Sequence, residues 1–471
     1  MSKFEQTYRV HQRHGQEHIF ADWDELSPEQ REELLADCAR IDFDWLAQRR
    51  KELRDGPTAM PAGMIEPAPV VSLPQTEAER GQWNAARDAG EELLRRGKIA
   101  AFLVAGGQGT RLGFQGPKGC FPVGPVSGRT LFQWHAEQIL ARSRRHGVSI
   151  PLYIMTSREN DRGTRAFFEE KSFFGLNPSD VFFFQQEMVP CLDLNGKLLL
   201  SSPSTVAMNP NGHGGSLSGL RTSGAIRDMR GRGVEFISYF QVDNPLVTIC
   251  DPVFIGRHVQ SGSEMSCKVL EKNSPSERIG VACVMNGKPA VIEYMDLDEA
   301  ARQAREADGR LKFRAGSIAI HVLNVDFVDR VAAGGVLPWH QSRKKVPYFT
   351  GNRLIKPETE NAVKFETFVF DALPQAEKSL NLEVAREQEF APLKNARGVD
   401  SVQSCRELLS RRFRRWLSGA GVPPPVSGRP GSAGAPEPVV EISPLYSLDA
   451  GELARKVKPG GFQLERFLLL G

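Results

Sequence analysis

Two cations in a glycine-rich segment are the residues of this sequence whose types and spacing most clearly suggest chemistry. Arg111 and Lys118 lie in residues 103–119, LVAGGQGTRLGFQGPKG, a segment without aspartate or glutamate. Glycines let the backbone approach a ligand closely and point N–H groups at an anion. Arginine and lysine can neutralise a polyphosphate while one of its bonds is broken. The pattern predicts a polyphosphate-binding loop, with a ligand-free strand-to-helix turn as the alternative.

The spacing within this loop disfavours two common nucleotide-binding motifs. The run Gly107-x-Gly109-x-x-x-Gly113 is one residue too long for the dinucleotide fingerprint, and no acidic residue occurs in 106–136 to bind a ribose hydroxyl. A Walker A motif requires Gly-Lys-Ser/Thr, whereas Lys118 is preceded by proline and followed by glycine. The sequence therefore disfavours both an NAD site and a P-loop.

Longer stretches of the chain resemble one enzyme family. The segment LVAGGQGTRLGFQGPKGCFPVG resembles the signature of the UDP-sugar pyrophosphorylases, uridylyltransferases that join UTP to a sugar 1-phosphate. Within that family the chain is most similar to the eukaryotic-type UDP-N-acetylglucosamine pyrophosphorylases. Further similar segments follow in one order along most of the chain: YIMTS (153–157), FFQQ (183–186), VDN (242–244), FVFD (368–371), FAPLKNA (390–396) and EISPL (441–445).

The resemblance implies a reaction and a set of catalytic groups. A sugar 1-phosphate is already an anionic nucleophile, so attack on the α-phosphorus of UTP needs alignment, a metal ion and cations, but no general base. Arg111 and Lys118 would hold the leaving phosphates, and the resemblance adds Lys394 as a third catalytic cation. Asp243 would bind Mg²⁺. Without the resemblance, Lys394 would be read as a surface lysine and Asp243 as a helix N-cap.

The resemblance also assigns the nucleotide-binding residues. Gln186 and Gly212 would contact uracil, and His213 would lie near the ribose or uracil, although family members of the N-acetylglucosamine type usually have asparagine at that position. The remaining nucleotide-binding residues implied by the resemblance are those of the glycine loop: Ala105, Gly106, Gly107 and Gly109.

The sugar-binding positions leave the identity of the sugar open. Gly280 and Glu293 match hexose-binding positions, whereas Ser317 stands where the family has an asparagine that would meet the sugar. We expect N-acetylglucosamine 1-phosphate as the substrate, with glucose or galactose 1-phosphate as the alternative. A nucleotide-sugar binder without turnover is the alternative that is not an enzyme.

The elements that must position these residues are those of an α/β protein. We predict a Rossmann-like nucleotidyltransferase sheet with a helical N-terminal region and a small C-terminal lobe. The predicted domains are 1–96 (N-terminal helical region), 97–388 (catalytic domain) and 389–471 (C-terminal lobe), with a Gly/Pro/Ser-rich linker at 419–438. Buried parallel strands are predicted at 99–104, 150–156, 181–185 and 236–242, and shorter antiparallel strands at 265–270, 279–285 and 289–294.

Composition sets limits on partners and location. The formal charge of +3 for 471 residues is too balanced to indicate a nucleic-acid or membrane surface. The arginine run at 411–415 is predicted to be a solvated helix face. Seven scattered cysteines without a C-x-x-C pair, and an N-terminus without an apolar run, favour a cytoplasmic protein. The expected partners are UTP, a sugar 1-phosphate, a UDP-sugar and pyrophosphate, with neither nucleic acid nor membrane.

Overall fold

The computed structural model describes residues 1–56, 65–335, 337–351, 353–422, 437–457 and 467–471. Most of the predicted linker 419–438 lies outside these residues. The helices are α1 (Lys3–Arg13), α2 (Pro28–Cys38), α3 (Phe43–Asp55), α4 (Glu77–Arg95), α5 (Leu131–His146), α6 (Asp161–Glu170), α7 (Gly215–Thr222), α8 (Ala225–Gly231), α9 (Pro252–Ser261), α10 (Glu299–Gln303), α11 (Val325–Ala333), α12 (Arg386–Glu389), α13 (Val402–Gly419) and α14 (Ala450–Lys456).

The strands alternate with these helices through the middle of the chain. They are β1 (Ile65–Pro67), β2 (Ile99–Val104), β3 (Leu152–Thr156), β4 (Val181–Gln185), β5 (Met188–Pro190), β6 (Leu192–Asp193), β7 (Leu200–Ser202), β8 (Thr205–Val206), β9 (Met208–Pro210), β10 (Phe236–Gln241), β11 (Met265–Glu271), β12 (Val281–Met285), β13 (Lys288–Ile292), β14 (Ala315–Asn324), β15 (His340–Lys344), β16 (Tyr348–Thr350), β17 (Arg353–Ile355), β18 (Ala362–Glu366), β19 (Ser379–Glu383), β20 (Val439–Ile442) and β21 (Phe467–Leu470).

The chain forms two compact units, each assembled from separate stretches of sequence. The larger unit comprises Ile65–Gln185, Ser216–Gly335 and Ala372–Gly471, and the smaller unit comprises Met1–Met64, Gln186–Gly215 and Val336–Asp371. The domain boundaries inferred from the sequence, at 96/97 and 388/389, stay a prediction.

A ten-stranded mixed sheet is the framework of the larger unit. Strands β10, β2, β3 and β4 lie side by side and parallel, as expected of strands that are apolar along their whole length. Strand β14 pairs antiparallel with β10 and continues the sheet toward β11, β12, β13 and β1. The predicted α/β fold, with a parallel half and an antiparallel extension, is confirmed.

The smaller unit combines the N-terminal helices with short strands. Helix α2 begins at Pro28, because Ser27 and Gln30 form a capping box and proline is favoured at the first helical position. Apolar side chains of this unit, including Leu34, Leu46 and Phe365, share one buried cluster. Three small sheets, β15-β18-β6, β17-β16-β7-β8 and β5-β9, complete it.

All seven cysteines lie in the described residues, and none of them forms a disulfide. In the described part of the chain, no helix has both the length and the apolar character needed to cross a membrane.

The described C-terminal residues of the larger unit pair β20 with β21 in a parallel two-stranded sheet beside α13.

Candidate active site

The glycine loop follows β2 at the carboxyl edge of the parallel strands, where α/β sheets bind ligands. Its backbone closes on itself, because the Gly109 N–H donates to the Gly116 oxygen (2.9 Å) and the Lys118 N–H donates to the Gly107 oxygen (3.0 Å). A Cβ on Gly109 would lie 2.8 Å from the ring of Phe114, so this position requires glycine. The shape of the loop is therefore fixed by its own backbone hydrogen bonds and by Phe114.

Asn160 holds this loop against the sheet and was missed by the sequence analysis. Its side chain is 1% exposed, and its amide donates to the backbone oxygens of Ala105 (2.8 Å) and Gly107 (3.2 Å). Its Oδ1 accepts from the Ser157 N–H at 2.8 Å. One buried amide thus fixes the start of the loop against the neighbouring strand end.

We expect Asn160→Asp to weaken UTP binding with little change in fold. The aspartate keeps the acceptor for Ser157 but replaces the donor with a carboxylate that faces two carbonyl oxygens. Losing a buried hydrogen bond costs about 1 to 3 kcal/mol, so KM for UTP should rise about tenfold or more. Steady-state kinetics with varied UTP measures this, and Asn195→Asp at an exposed position is the control. An unchanged KM would contradict the assigned role.

The two predicted loop cations have different surroundings. Arg111 is exposed and makes no hydrogen bond or ion pair with a described residue. Lys118 is largely buried, and its Nζ lies 3.5 Å from Oδ2 of Asp243, with side chains 11% and 14% exposed. The structure thus brings the predicted phosphate-binding lysine next to the predicted metal ligand. No described residue occupies the guanidinium of Arg111, and its role in binding phosphate stays a prediction.

Backbone contacts fix Asp243 beside the segment that carries Lys394. The Asp243 oxygen accepts from the Leu393 N–H at 2.8 Å, and the Asn244 side chain donates to the Glu389 oxygen at 2.7 Å. On the other side, His135 Nε2 donates to the Val242 oxygen at 3.0 Å. Burial lowers the pKa of His135 to about 4, so this imidazole is neutral near pH 7. The backbone at Asp243 is therefore held on both sides.

A cleft beside Asp243 contains the predicted sugar-binding residues. It has a cavity volume of about 670 Å³, within the usual size range of small-ligand sites. The predicted site residues that line it are Asp243, Gly280, Glu293, Ser317 and Lys394. The larger unit therefore brings together the predicted metal ligand, one predicted catalytic lysine and all three predicted sugar-binding positions.

Short backbone contacts define the wall formed by the sugar-binding positions. The Ser317 N–H donates to the Gly280 oxygen at 2.8 Å. A Cβ on Gly280 would lie 2.9 Å from Val291 Cγ1 and 3.5 Å from Glu293 Oε1. Glycine at this position therefore leaves the Glu293 carboxylate accessible from the cleft. The hydroxyl of Ser317 makes no hydrogen bond with a described residue.

Strand β14 is distorted where it lines the cleft. Ala319 has a φ of 53°, in the left-handed region that residues other than glycine rarely adopt. The pairing of β11 with β14 is interrupted between Cys267 and Val269, opposite this residue. The resulting β-bulge turns the backbone at residues 317–320 into the cleft wall. A strained residue at a ligand-binding wall is a common feature of functional sites.

The same cleft contains charged residues that the sequence analysis did not single out. Arg386 and Glu277 form an ion pair at 2.7 Å and both line the cleft. Asp400 also lines it, and burial is the main cause that raises the pKa of its carboxyl, while the nearby Lys394 opposes the rise. These side chains come from distant parts of the sequence, and no motif marks them.

The donor set at Asp243 suits a divalent cation that takes most of its ligands from the substrate. In the described residues, no group of three or more His, Cys, Asp or Glu side chains is arranged to hold a metal ion. A preformed protein metal centre is therefore not indicated there. A single carboxylate next to phosphate-binding cations is the arrangement in which a divalent ion bridges phosphate oxygens and water.

The three predicted uridine-binding residues outside the glycine loop belong to the smaller unit. Gln186 is 7% exposed and directly follows β4. Gly212 has a φ of 82°, and a Cβ there would lie 2.3 Å from the Thr367 oxygen. His213 stacks on Phe368, with ring centroids 5.2 Å apart. Their role in binding uridine stays a prediction.

His213 has the properties of a positioned neutral group. Its Nδ1 accepts a hydrogen bond from the Val369 N–H at 3.1 Å, which places the ring proton on Nε2. Burial is the main cause that lowers its pKa to about 4, and the nearby His340 adds to the effect. Nε2–H is then its remaining donor. The residue is suited to binding a polar ligand atom and not to carrying charge near pH 7.

Comparison with known proteins decides the family. The family profile described as UTP–glucose-1-phosphate uridylyltransferase matches residues 64–413. The chain belongs to this family. Human UDP-N-acetylhexosamine pyrophosphorylase-like protein 1 is 38% identical over 93% of this chain and 91% of its own. Saccharomyces cerevisiae UDP-N-acetylglucosamine pyrophosphorylase is 34% identical over 86% and 90%, respectively. The Trypanosoma brucei uridine diphosphate N-acetylglucosamine pyrophosphorylase, in complex with inhibitor, has a TM-score of 0.82 at 25% identity, covering 100% and 98%.

Membership of the uridylyltransferase family confirms the predicted enzyme class, a nucleotidyltransferase. Every residue predicted to belong to the site, from Ala105 to Lys394, lies inside the matched range. In this uridylyltransferase the glycine loop and the cleft are joined through Lys118 and Asp243.

Proposed function

We propose that the chain transfers a uridylyl group from UTP to N-acetylglucosamine 1-phosphate, forming UDP-N-acetylglucosamine and releasing pyrophosphate. The observation that supports this most directly is the contact between Lys118 and Asp243, at 3.5 Å, between the glycine loop and a 670 Å³ cleft. The relatives align with more than four fifths of this chain. Their names refer to N-acetylhexosamine or N-acetylglucosamine, which supports the choice of sugar. UTP and the sugar 1-phosphate would then meet at the carboxylate of Asp243.

The reaction is an in-line displacement at phosphorus. A phosphate oxygen of the sugar 1-phosphate forms a bond to the α-phosphorus of UTP. The bond from that phosphorus to the oxygen bridging to the β-phosphate breaks, and its electron pair leaves with pyrophosphate. Arg111 and Lys118 would neutralise the leaving group, while Lys394 would attract the attacking phosphate from the cleft.

The site residues support a mechanism without a general base. No histidine lines the cleft among the described residues, and the attacking oxygen carries negative charge without proton removal. The cleft instead supplies orientation through Gly280, Glu293 and the bulged strand at Ser317. Holding two reactants in line can provide a large share of the rate acceleration.

Magnesium is the cation we propose for this site. Bound by Asp243 and by phosphate oxygens, it would reduce the charge on the triphosphate and help align it. We further propose that the protein is cytoplasmic. Its proposed partners are UTP and sugar 1-phosphates, and we propose no role for nucleic acid or membrane. Seven unpaired cysteines are compatible with a reducing compartment.

The experiment that tests the proposal is pyrophosphate release measured with UTP and a panel of sugar 1-phosphates. We expect the highest kcat/KM with N-acetylglucosamine 1-phosphate and measurable rates with glucose or galactose 1-phosphate. A higher kcat/KM with glucose or galactose 1-phosphate would favour the alternative sugar. Uridine-nucleotide binding without pyrophosphate release for any sugar would identify a binder without turnover.

Sugar selectivity should depend on Ser317. We expect Ser317→Asn to raise the preference for N-acetylglucosamine 1-phosphate over glucose 1-phosphate, because an amide reaches farther than a hydroxyl and offers more hydrogen bonds. One added hydrogen bond of about 1 to 2 kcal/mol corresponds to roughly a five- to fiftyfold change in the ratio of kcat/KM values. Ser276→Asn, elsewhere on the cleft wall, is the matched control. A ratio that stays constant or moves toward glucose would show that Ser317 does not contact the sugar.

A further inference from the structure

A second charged cavity lies in the larger unit, away from the sugar cleft. It has a volume of about 530 Å³ and shares no lining residue with that cleft. We call it the arginine cavity, because five arginines from four helices line it. They are Arg87 on α4, Arg142 and Arg145 on α5, Arg412 on α13 and Arg455 on α14.

Arg142 is the residue of this cavity that the fold leaves unsatisfied. It is 5% exposed, yet its guanidinium makes no hydrogen bond or ion pair with any described residue. Burial lowers its pKa, which reflects the cost of keeping this charge away from water. A buried cation without an acceptor is expensive, and natural proteins rarely keep one. An anionic ligand in the cavity would remove that cost.

Arg412 on α13 is a second buried arginine with an unsatisfied N–H group. It is 9% exposed, although its arginine run was predicted to be a solvated face, and that prediction is wrong at this position. One of its nitrogens donates to the Leu246 oxygen at 2.8 Å, and its Nε has no acceptor among the described residues. The guanidinium packs 4.7 Å from the ring centroid of Trp416, which fixes its orientation. The guanidinium of Arg412 is therefore only partly satisfied by the described residues.

Each acidic residue of the cavity already has a cationic or histidine partner, and only Asp449 pairs with a cavity arginine. Asp251 pairs with Lys268 at 2.7 Å, and Asp449 pairs with Arg145 at 2.7 Å. Glu91 hydrogen-bonds His146. Four of the five arginines form no ion pair with a carboxylate in the described part of the chain: Arg87, Arg142, Arg412 and Arg455. Asp251 and Glu91 act on Arg142 only from a longer distance, and each raises its pKa less than burial lowers it. The lining carries five arginines against three carboxylates, Glu91, Asp251 and Asp449, so the cavity has an excess of positive charge.

We propose that the arginine cavity binds a phosphate-bearing small molecule. The planar forks of Arg142 and Arg412 match phosphate oxygens in charge and geometry, and buried charge-assisted hydrogen bonds are among the strongest that proteins form. The volume is that of a small-ligand site. Inorganic phosphate, pyrophosphate and phosphate monoesters share the chemistry that this cavity recognises.

The test must separate this cavity from the catalytic phosphate site. The background is the full chain with Arg111→Ala and Lys118→Ala, which removes the predicted phosphate-binding cations of the glycine loop. Calorimetric titration with inorganic phosphate, and separately with pyrophosphate, should still detect about one equivalent bound. Adding Arg142→Gln or Arg412→Gln should weaken that binding about tenfold or more, because each removes a charged fork.

Matched controls are available on the same helices. Arg144→Gln on α5 and Arg411→Gln on α13 change exposed arginines that do not line the cavity, and should alter phosphate affinity less than about twofold. Arg455→Gln, at an exposed position of the lining, tests the cavity without changing a buried residue and should weaken binding about two- to fivefold.

Either of two affinity results would overturn the proposal. One is the absence of binding of either anion at millimolar concentration in the background variant. The other is unchanged affinity in both Arg142→Gln and Arg412→Gln. Melting temperature without phosphate is the second measurement, since Arg142→Gln should not lower it if the guanidinium has no partner to lose. A lower melting temperature with unchanged phosphate affinity would identify a structural arginine and would also overturn the proposal.

Discussion

Replacing Arg111 with alanine is expected to lower kcat about a hundredfold or more while the protein stays folded. Arg111 is exposed and has no hydrogen-bonding or ionic partner among the described residues, so its removal takes no contact from the fold. Its charge matters when the bond to pyrophosphate breaks and negative charge moves onto the leaving group. An interaction that strengthens in the transition state affects kcat more than KM.

The measurement is steady-state pyrophosphate release, with melting temperature as the check on folding. Arg96→Ala is the matched control, because Arg96 is exposed at the end of α4, outside the loop and the cleft. Arg111→Lys should recover only part of the lost rate, since lysine keeps the charge but not the planar fork. Near-normal turnover in folded Arg111→Ala would remove Arg111 from the catalytic groups.

Strand positions could be predicted because buried parallel strands are apolar throughout. The predicted and observed bounds agree for β2 and β4, and β10 ends one residue earlier than predicted, at Gln241. Helix α2 could be predicted from its cap, since Ser27 and Pro28 act locally. These signals depend on neighbours in sequence, so they could be read from the sequence without the fold.

The contacts that shape the site could not be predicted in this way. Asn160 acts on the glycine loop from 53 or more residues away, and asparagine before a helix would ordinarily be read as a cap. Ala319 adopts a positive φ because of a pairing irregularity with β11, and alanine gives no sign of it. Arg412 lies in an arginine-rich helix, and only packing against Trp416 and Leu246 reveals that it is buried.

The smaller unit illustrates the same limit at the scale of chain segments. Its three stretches are joined by strand pairings such as β6 with β18, which are separated by more than 160 residues. Composition changes along the chain cannot reveal such pairings. The resemblance could carry Gln186, Gly212 and His213 into the predicted site only by matching motifs, since no local property of these residues indicates uridine.

The second large effect is expected at Asp243. Asp243→Asn should abolish measurable turnover, with kcat lowered about a thousandfold or more, because a neutral amide is a much weaker ligand than a carboxylate for a divalent cation. The change also removes the ionic partner of Lys118, 3.5 Å away. Affinity for uridine nucleotides in the absence of metal should fall less than about tenfold, since the predicted base contacts come from other residues.

Glu277→Gln provides the matched control for Asp243→Asn, because it neutralises another carboxylate of the same cleft that pairs with Arg386 instead of Lys118. Its kcat should fall far less if Asp243 is the metal ligand, and similar losses in the two variants would point to a general effect of charge in the cleft.

Metal removal is an independent test of the metal-binding role of Asp243. Excess EDTA should stop pyrophosphate release by the unmodified protein, and added Mg²⁺ should restore it there but not in Asp243→Asn. Turnover that persists in EDTA would refute the metal-binding role of Asp243, because the remaining cations would then be sufficient to neutralise the triphosphate.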